Sequence, residues 1–169
     1  SNGDIKHIDD RKRLNSHKLI EEFMLAANIS AADFISQYAK EGVYRIHEHP
    51  ESLKIQRLSQ VLKNRGINWN GNIEDIENIS EFILKLNKRD DAPILNMLIL
   101  QSMQRAEYST LNKGHFGLKF DKYTHFTSPI RRYPDLLVHR IIISILNREE
   151  FNYEGLQSVS YTHLRAHET

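Results

Sequence analysis

The stretch Tyr123-Thr-His-Phe-Thr-Ser-Pro-Ile-Arg-Arg-Tyr-Pro-Asp-Leu-Leu-Val-His-Arg140 carries residue types that folding needs alone do not explain. Pro129 and Pro134 each fix φ and withhold a backbone donor, so Ser128–Tyr133 is stiff, and Pro134 suits the first turn of a helix. Arg131 and Arg132 stand between the two prolines. A guanidinium stays charged at any working pH and offers a planar donor fork that fits two phosphate oxygens, so arginine on a rigid turn points to phosphodiester contact. Leu136, Leu137, Val138, Ile141, Ile142, Ile143, Ile145 and Leu146 then make a helix from Pro134 to about Arg148 apolar almost all round. That pattern predicts a buried anchor for the turn. His139 and Arg140 interrupt it and are expected to be paired or at a cleft rim, because an unpaired buried charge is costly.

Upstream, Lys113-Gly-His-Phe-Gly-Leu-Lys-Phe-Asp-Lys-Tyr123 alternates and holds two glycines, which predicts a strand or hairpin arm feeding the stretch. It carries His115, which also reads as a hydrogen-bonded structural histidine. Apolar spacing predicts further helices from Ala92 or Pro93 to about Tyr108, over 73–88, and from Ser52 to about Arg65. These are mostly scaffold, and Asn68-Trp-Asn-Gly-Asn72 is a turn-rich surface loop. Val43-Tyr-Arg-Ile-His47 alternates like a short strand. His47 and His49 would share one of its faces, but Pro50 follows and no third ligand is near, so no metal centre is expected there. The adjacent pairs Asp9-Asp10 and Asp90-Asp91 diverge and make no metal cradle either.

A long helix from about Ser16 to Ala39, closed by Gly42, directs Ile20, Phe23, Met24, Ala27, Ala31, Phe34 and Ile35 toward a core. His17, Glu21 and Asn28 fall on a separate narrow stripe at the edge of that face, where side chains are held by packing yet reach a cleft. The plainer account of the stripe is surface polarity satisfied by water. Arg11-Lys-Arg13 likewise reads as a solvated helix start or a minor nucleic-acid backbone contact.

At 169 residues, 40% apolar and 27% charged, the chain has the composition of a soluble globular domain with a sizeable core. A net charge of +1 leaves any basic surface a local patch. The absence of cysteine rules out disulfides and thiolate metal sites and suits a reducing cytoplasm, the expected location. The longest apolar run, Ile141–Leu146, is far too short to span a bilayer.

His125-Phe-Thr-Ser-Pro-Ile-Arg-Arg-Tyr-Pro-Asp135 with Val138-His-Arg140 resembles the signature of the ribonuclease II/R (RNB domain) family of processive 3′-to-5′ exoribonucleases. Gly114-His-Phe-Gly-Leu118, Tyr44-Arg-Ile-His-Glu-His-Pro50 and Leu19–Asn28 are similar to further segments of that family, so the resemblance covers essentially residues 11–157. It implies an α+β fold, of which this portion is mostly helical with a few short strands. It also implies metal-dependent hydrolysis of RNA to nucleoside 5′-monophosphates. In the positions that match, Arg131 stabilises the scissile phosphate, Glu21 lies at the active centre near the 3′-terminal nucleotides, and Ser128, Thr127, Arg132 and His115 are the candidate RNA contacts. The family's Mg²⁺ is held by clustered aspartates upstream, with no counterpart in these residues. The implied partner is the single-stranded 3′ end of RNA, and the parent is expected to be monomeric.

Residues 1–157 are therefore expected to be a partial catalytic domain, inactive in isolation, with further parts of the parent missing on both sides. Residues 158–169 back-translate in frame to an adapter of transposon-based sequencing libraries and are expected to be a foreign, disordered tail, which removes His163 and His167 from any metal argument. Two alternatives stay open. One is a relative that binds RNA without cutting it; the other is a helical interaction domain whose Arg131/Arg132 pair makes surface salt bridges.

Overall fold

The computed structural model describes residues 13–69 and 75–156. The Asp9-Asp10 pair, most of the Arg11-Lys-Arg13 cluster, the tip of the 68–72 loop and the tail over 158–169 lie outside the described residues. The fold is α+β, with five α-helices and one two-stranded sheet among the described residues.

The first helix, α1, is Asn15–Tyr38. It starts where the His17 ring accepts a hydrogen bond from the Leu14 N–H at 3.2 Å, satisfying a donor that the helix leaves open. Its buried residues are Asn28, Ala31, Ala32 and Ile35 only. The expectation that Ile20 and Phe23 face a core is therefore corrected: both are exposed, as are Leu14 and Leu19, because nothing among the described residues packs on that end. The helix ends at an extended Ala39, ahead of Gly42. Gly42 lies outside the helix and is favoured by close packing, since a Cβ there would lie 3.1 Å from Ile35 Cδ1 and from the Tyr44 ring and press on both.

The strand Tyr44–Ile46 (β1) follows, and then the helix Ser52–Asn64 (α2). Next come Ile76–Leu86 (α3), capped by the Asp75 carboxylate on the Glu77 N–H at 2.9 Å, and Ala92–Ser102 (α4). The helix expected to reach Tyr108 stops at Ser102. Residues Glu107–Ser109 form instead a strand (β2) antiparallel to β1, with Tyr44 opposite Ser109, Arg45 opposite Tyr108 and Ile46 opposite Glu107. The reason is tertiary: β1 is flanked by buried Tyr44 and Ile46 and its backbone needs a partner, which outweighs the local helix preference of Gln104-Arg-Ala-Glu107.

The expected arm over 113–123 is likewise not a regular strand. It makes single bridges, His47 with His115 and His115 with Phe120, around a 3-10 turn at Phe116–Leu118. Gly117 shows why: a Cβ there would sit 2.6 Å from His47 Nδ1, which instead accepts the Gly117 N–H at 3.1 Å.

The last helix is Tyr133–Asn147 (α5), with a proline in its first turn as expected. It is not buried all round. Leu137, Val138, Ile141 and Ser144 face inward, whereas Ile143 and Leu146 are exposed, so one stripe does the anchoring.

Two apolar clusters result. One joins Ala31 and Ile35 of α1 to Val43, Tyr44, Ile46, Tyr108 and the inner stripe of α5. The other joins Leu58 and Leu62 of α2, Ile79, Phe82 and Leu86 of α3, and Leu95 and Ile99 of α4 with Phe116. No described helix is long and apolar enough to cross a membrane.

Candidate functional site

The arginine turn is built on one carboxylate. Asp135 lies in the first turn of α5, where acidic side chains are favoured, and is wholly buried. Its Oδ2 accepts the Ser128 N–H at 2.8 Å and the Arg132 Nη2–H at 2.7 Å. The Ser128 carbonyl in turn accepts the N–H groups of Arg131 and Arg132 at 3.2 and 3.1 Å. Both ends of the turn are thus fixed by hydrogen bonds, one set charge-assisted. The adjacent arginines diverge in consequence. Arg132 is turned inward to Asp135 with a fifth of its side chain exposed, while Arg131 is exposed and its guanidinium makes no hydrogen bond or ion pair among the described residues. Ile130, at the tip between Pro129 and Arg131, is fully exposed.

Around this turn, Thr127 Oγ1, Arg132 Nε and Asp135 Oδ1 are buried without a protein partner. The Ser128 N–H is committed to Asp135, and the residue is partly exposed.

The stretch ahead of the turn is clamped to α1 and β1. Buried Asn28 donates to Tyr123 Oη and accepts from the Phe126 N–H, each at 2.9 Å. The Tyr123 carbonyl accepts the Arg45 N–H at 2.8 Å, and Thr124 Oγ1 donates to the Val43 carbonyl. From α5, His139 Nε2 donates to the Phe126 carbonyl at 2.9 Å and its ring stacks on Phe126 at 4.0 Å. His139 is thus paired as expected, while Arg140 is exposed.

Glu21 is exposed on α1 and ion-pairs with Arg13. It shares the stripe of Asn28 two turns earlier, roughly 10 Å along the axis from the residue that grips the signature stretch. Glu21 and Arg131 make no mutual contact. His115 is held by its surroundings: Nδ1 accepts the Leu118 N–H at 3.2 Å, and the ring meets those of His47 and Tyr123 edge-on at 5.2 and 5.3 Å. Burial, helped by His47, pushes its pKa down to about 4, so it is neutral at physiological pH. One side of it opens on a cavity of about 420 Å³ with His49, Phe120, Lys113 and Lys119 in its walls.

His125 shares a 2.6 Å hydrogen bond with Tyr108 Oη, and burial, with Arg132 next, lowers its pKa to about 4. Tyr108 carries the Arg45 guanidinium over its ring, 4.7 Å from the centroid. Helical spacing put Asn28 on the stripe that reaches toward the signature stretch, whereas Asp135, Tyr108 and Arg45 were given no role by the spacing of the sequence. Only the strand alternation hinted at Arg45, a charge between two apolar neighbours that must face the other side of β1. Among the described residues no three carboxylates or imidazoles converge to hold a metal ion, and the one buried carboxylate is committed to Ser128 and Arg132. These residues therefore do not fit a metal site.

Residues 1–148 match the RNB domain. Ribonuclease R of Buchnera aphidicola subsp. Schizaphis graminum is 42% identical over 151 residues, 89% of this chain and 21% of that protein. Mycoplasma genitalium RNase R in complex with ribose methylated single-stranded RNA is similar at a TM-score of 0.77 and 26% identity, over 87% of this chain and 24% of that one. Yeast Ssd1, a pseudonuclease, is similar at a TM-score of 0.73 and 25% identity, over 89% and 19%. The chain spans about a fifth of the length of the curated relatives it matches.

Proposed function

Because this chain belongs to the RNB domain family, we propose that it is part of the catalytic domain of an exoribonuclease that shortens single-stranded RNA from the 3′ end to nucleoside 5′-monophosphates. The observation that carries the proposal is the arginine turn. A charged fork that no group among the described residues neutralises is presented on a turn that Asp135 braces through the Ser128 N–H and the Arg132 side chain, beside a helix whose polar stripe carries Glu21. Such a fork is ready to meet charge that develops on phosphorus oxygens, with little rearrangement when the charge appears. Ser128, Thr127, Arg132 and His115 are the remaining candidate contacts. Of these Ser128 offers a hydroxyl, whereas Arg132 is braced inward and His115 is neutral. Mg²⁺, which the resemblance implies, would be held by carboxylates outside these residues. For that reason we expect the 169-residue chain to bind RNA and not to hydrolyse it.

Two assays test this. The purified chain, given a 5′-labelled single-stranded RNA and Mg²⁺, should release no nucleoside monophosphate, and release would overturn the view that the chain is incomplete as a catalyst. The parent protein should shorten the same RNA from its 3′ end, and its Arg131→Ala variant should lose turnover far more than RNA affinity, since that charge is met mainly in the transition state. Equal losses would make Arg131 an ordinary phosphate clamp.

The likeness to a pseudonuclease favours a second reading, an RNA binder of the same fold that does not cut. A parent that binds RNA, lacks an upstream aspartate cluster and leaves the RNA intact would select it.

A further inference from the structure

β1 puts one charge where the two-residue period of a strand allows no escape. Tyr44 and Ile46 point into the first core, so Arg45 points to the other face, toward the start of the signature stretch that its N–H grips through the Tyr123 carbonyl. Its cross-strand neighbour is Tyr108, and the guanidinium lies over that ring at 4.7 Å from the centroid. This cation–π contact uses the flat face of the guanidinium and leaves the N–H edges undirected. No hydrogen bond and no carboxylate within ion-pair distance satisfies those edges among the described residues.

The electrostatic surroundings sharpen the point. Arg132 is a like charge close enough to act on Arg45, and its own partner, buried Asp135, already holds the Ser128 N–H as well. Tyr108 and His125, which link Arg45 to the signature stretch, are both held in their neutral forms by burial. Glu107 acts on Arg45 more weakly than Arg132 does and forms no ion pair with it. Of these two guanidiniums only that of Arg132 has a carboxylate in ion-pair contact among the described residues. A scaffold that holds like charges together this way is short of one anion.

The geometry points to Arg45 as a phosphate-binding residue: its fork, preoriented on the Tyr108 ring beside Arg132, takes a phosphodiester of bound RNA other than the one that meets Arg131. The inference rests on the RNA reading of the arginine turn and adds to it a second, sequence-independent backbone contact from a different element. Arginine suits the place because it remains charged when half-buried and stacks while bonding, which lysine does not do.

The experiment uses the 169-residue chain and a short 5′-fluorescein-labelled oligouridylate, with binding followed by anisotropy over a range of salt concentrations. Each phosphate contact on a single strand adds about 0.7 to the steepness of log K against log salt. Arg45→Met keeps an apolar stem over Tyr108 and removes the charge. It should weaken binding about tenfold and flatten the slope by about 0.7, while Arg45→Lys restores the slope with only part of the affinity. If the unsubstituted chain binds oligouridylate and Arg45→Met matches it in affinity and slope, the Arg45 site is wrong and the RNA reading stands. If the unsubstituted chain binds no oligouridylate, both fall. Should Arg45→Met not fold, the unsubstituted chain still answers. Its Arg45 Nε–H resonance should shift as oligouridylate is added, and an unmoved Arg45 signal beside a shifted Arg131 signal overturns the site.

Discussion

Asp135 shows how much one side chain can determine about a site it never touches. With no exposure, it neutralises Arg132, closes the Ser128 end of the turn and leaves Arg131 as the free neighbour. Asp135→Ala would leave a part-buried guanidinium and a backbone N–H without their acceptor, and removing one partner of a buried charge pair costs about 3–5 kcal/mol. Urea unfolding of the variant should show a loss of that order, and a loss under about 1 kcal/mol would mean the pair is not closed in solution. The histidines carry a separate signature. His125 and His115 fall to about 4 from an ordinary value of 6.5 because burial disfavours their charged forms. The unfolded chain then binds more protons between those values, so stability is complete above about pH 6.5 and declines as pH falls toward 4. Melting temperatures across that window should drop with acidification, and His125→Phe should flatten part of the drop. A profile unchanged by that substitution would show that His125 is not held neutral.

At the scale of elements, α1 and α5 meet across the signature stretch, and Asn28 is the joint. Its amide satisfies Tyr123 Oη and the Phe126 N–H at once, from a position with 3% exposure. Asn28→Ala strands both, at a cost of about 1–3 kcal/mol for each buried group left unmet. In the parent the same change should lower turnover beyond what the stability loss explains, because the stretch leading to Arg131 loses its register on α1. Comparing kcat and unfolding free energy for Asn28→Ala and Asn28→Asp separates the two effects. The extents of α1, α2 and α5 were legible in the sequence because apolar spacing at three and four residues marks a helix, although the buried stripe proved narrower than the apolar one, with Ile20, Phe23, Ile143 and Leu146 exposed. The segment over 104–109 was not, since good helix formers there are overruled by the pairing demand of β1. The proline in the first turn of α5 was legible from local chemistry alone. Asn28 was legible as a place on the narrow stripe of α1, whereas Asp135 and Arg45 were not, because their partners are a backbone N–H, a neighbouring guanidinium and a tyrosine on another strand, none of which leaves a periodic trace.

The molecule as a whole is divided between its two apolar clusters, with the signature stretch, the Arg45–Tyr108 pair and the α1–α5 contact all on the first. The second, of α2, α3 and α4, includes Phe116, which lies beside His115 on the segment that bridges to His47. Two distinct apolar cores need not open together. Amide hydrogen exchange should resolve two cooperative units, with α2–α4 opening at a lower free energy than β1, β2 and the inner stripe of α5. A single common opening energy for all these amides would show that the clusters act as one. A two-unit landscape gives the chain a form of insulation: a substitution in α2–α4 raises the population of a half-open state without loosening the arginine turn. Losses of abundance and losses of chemistry would then arise from mutations in different halves of the same short chain.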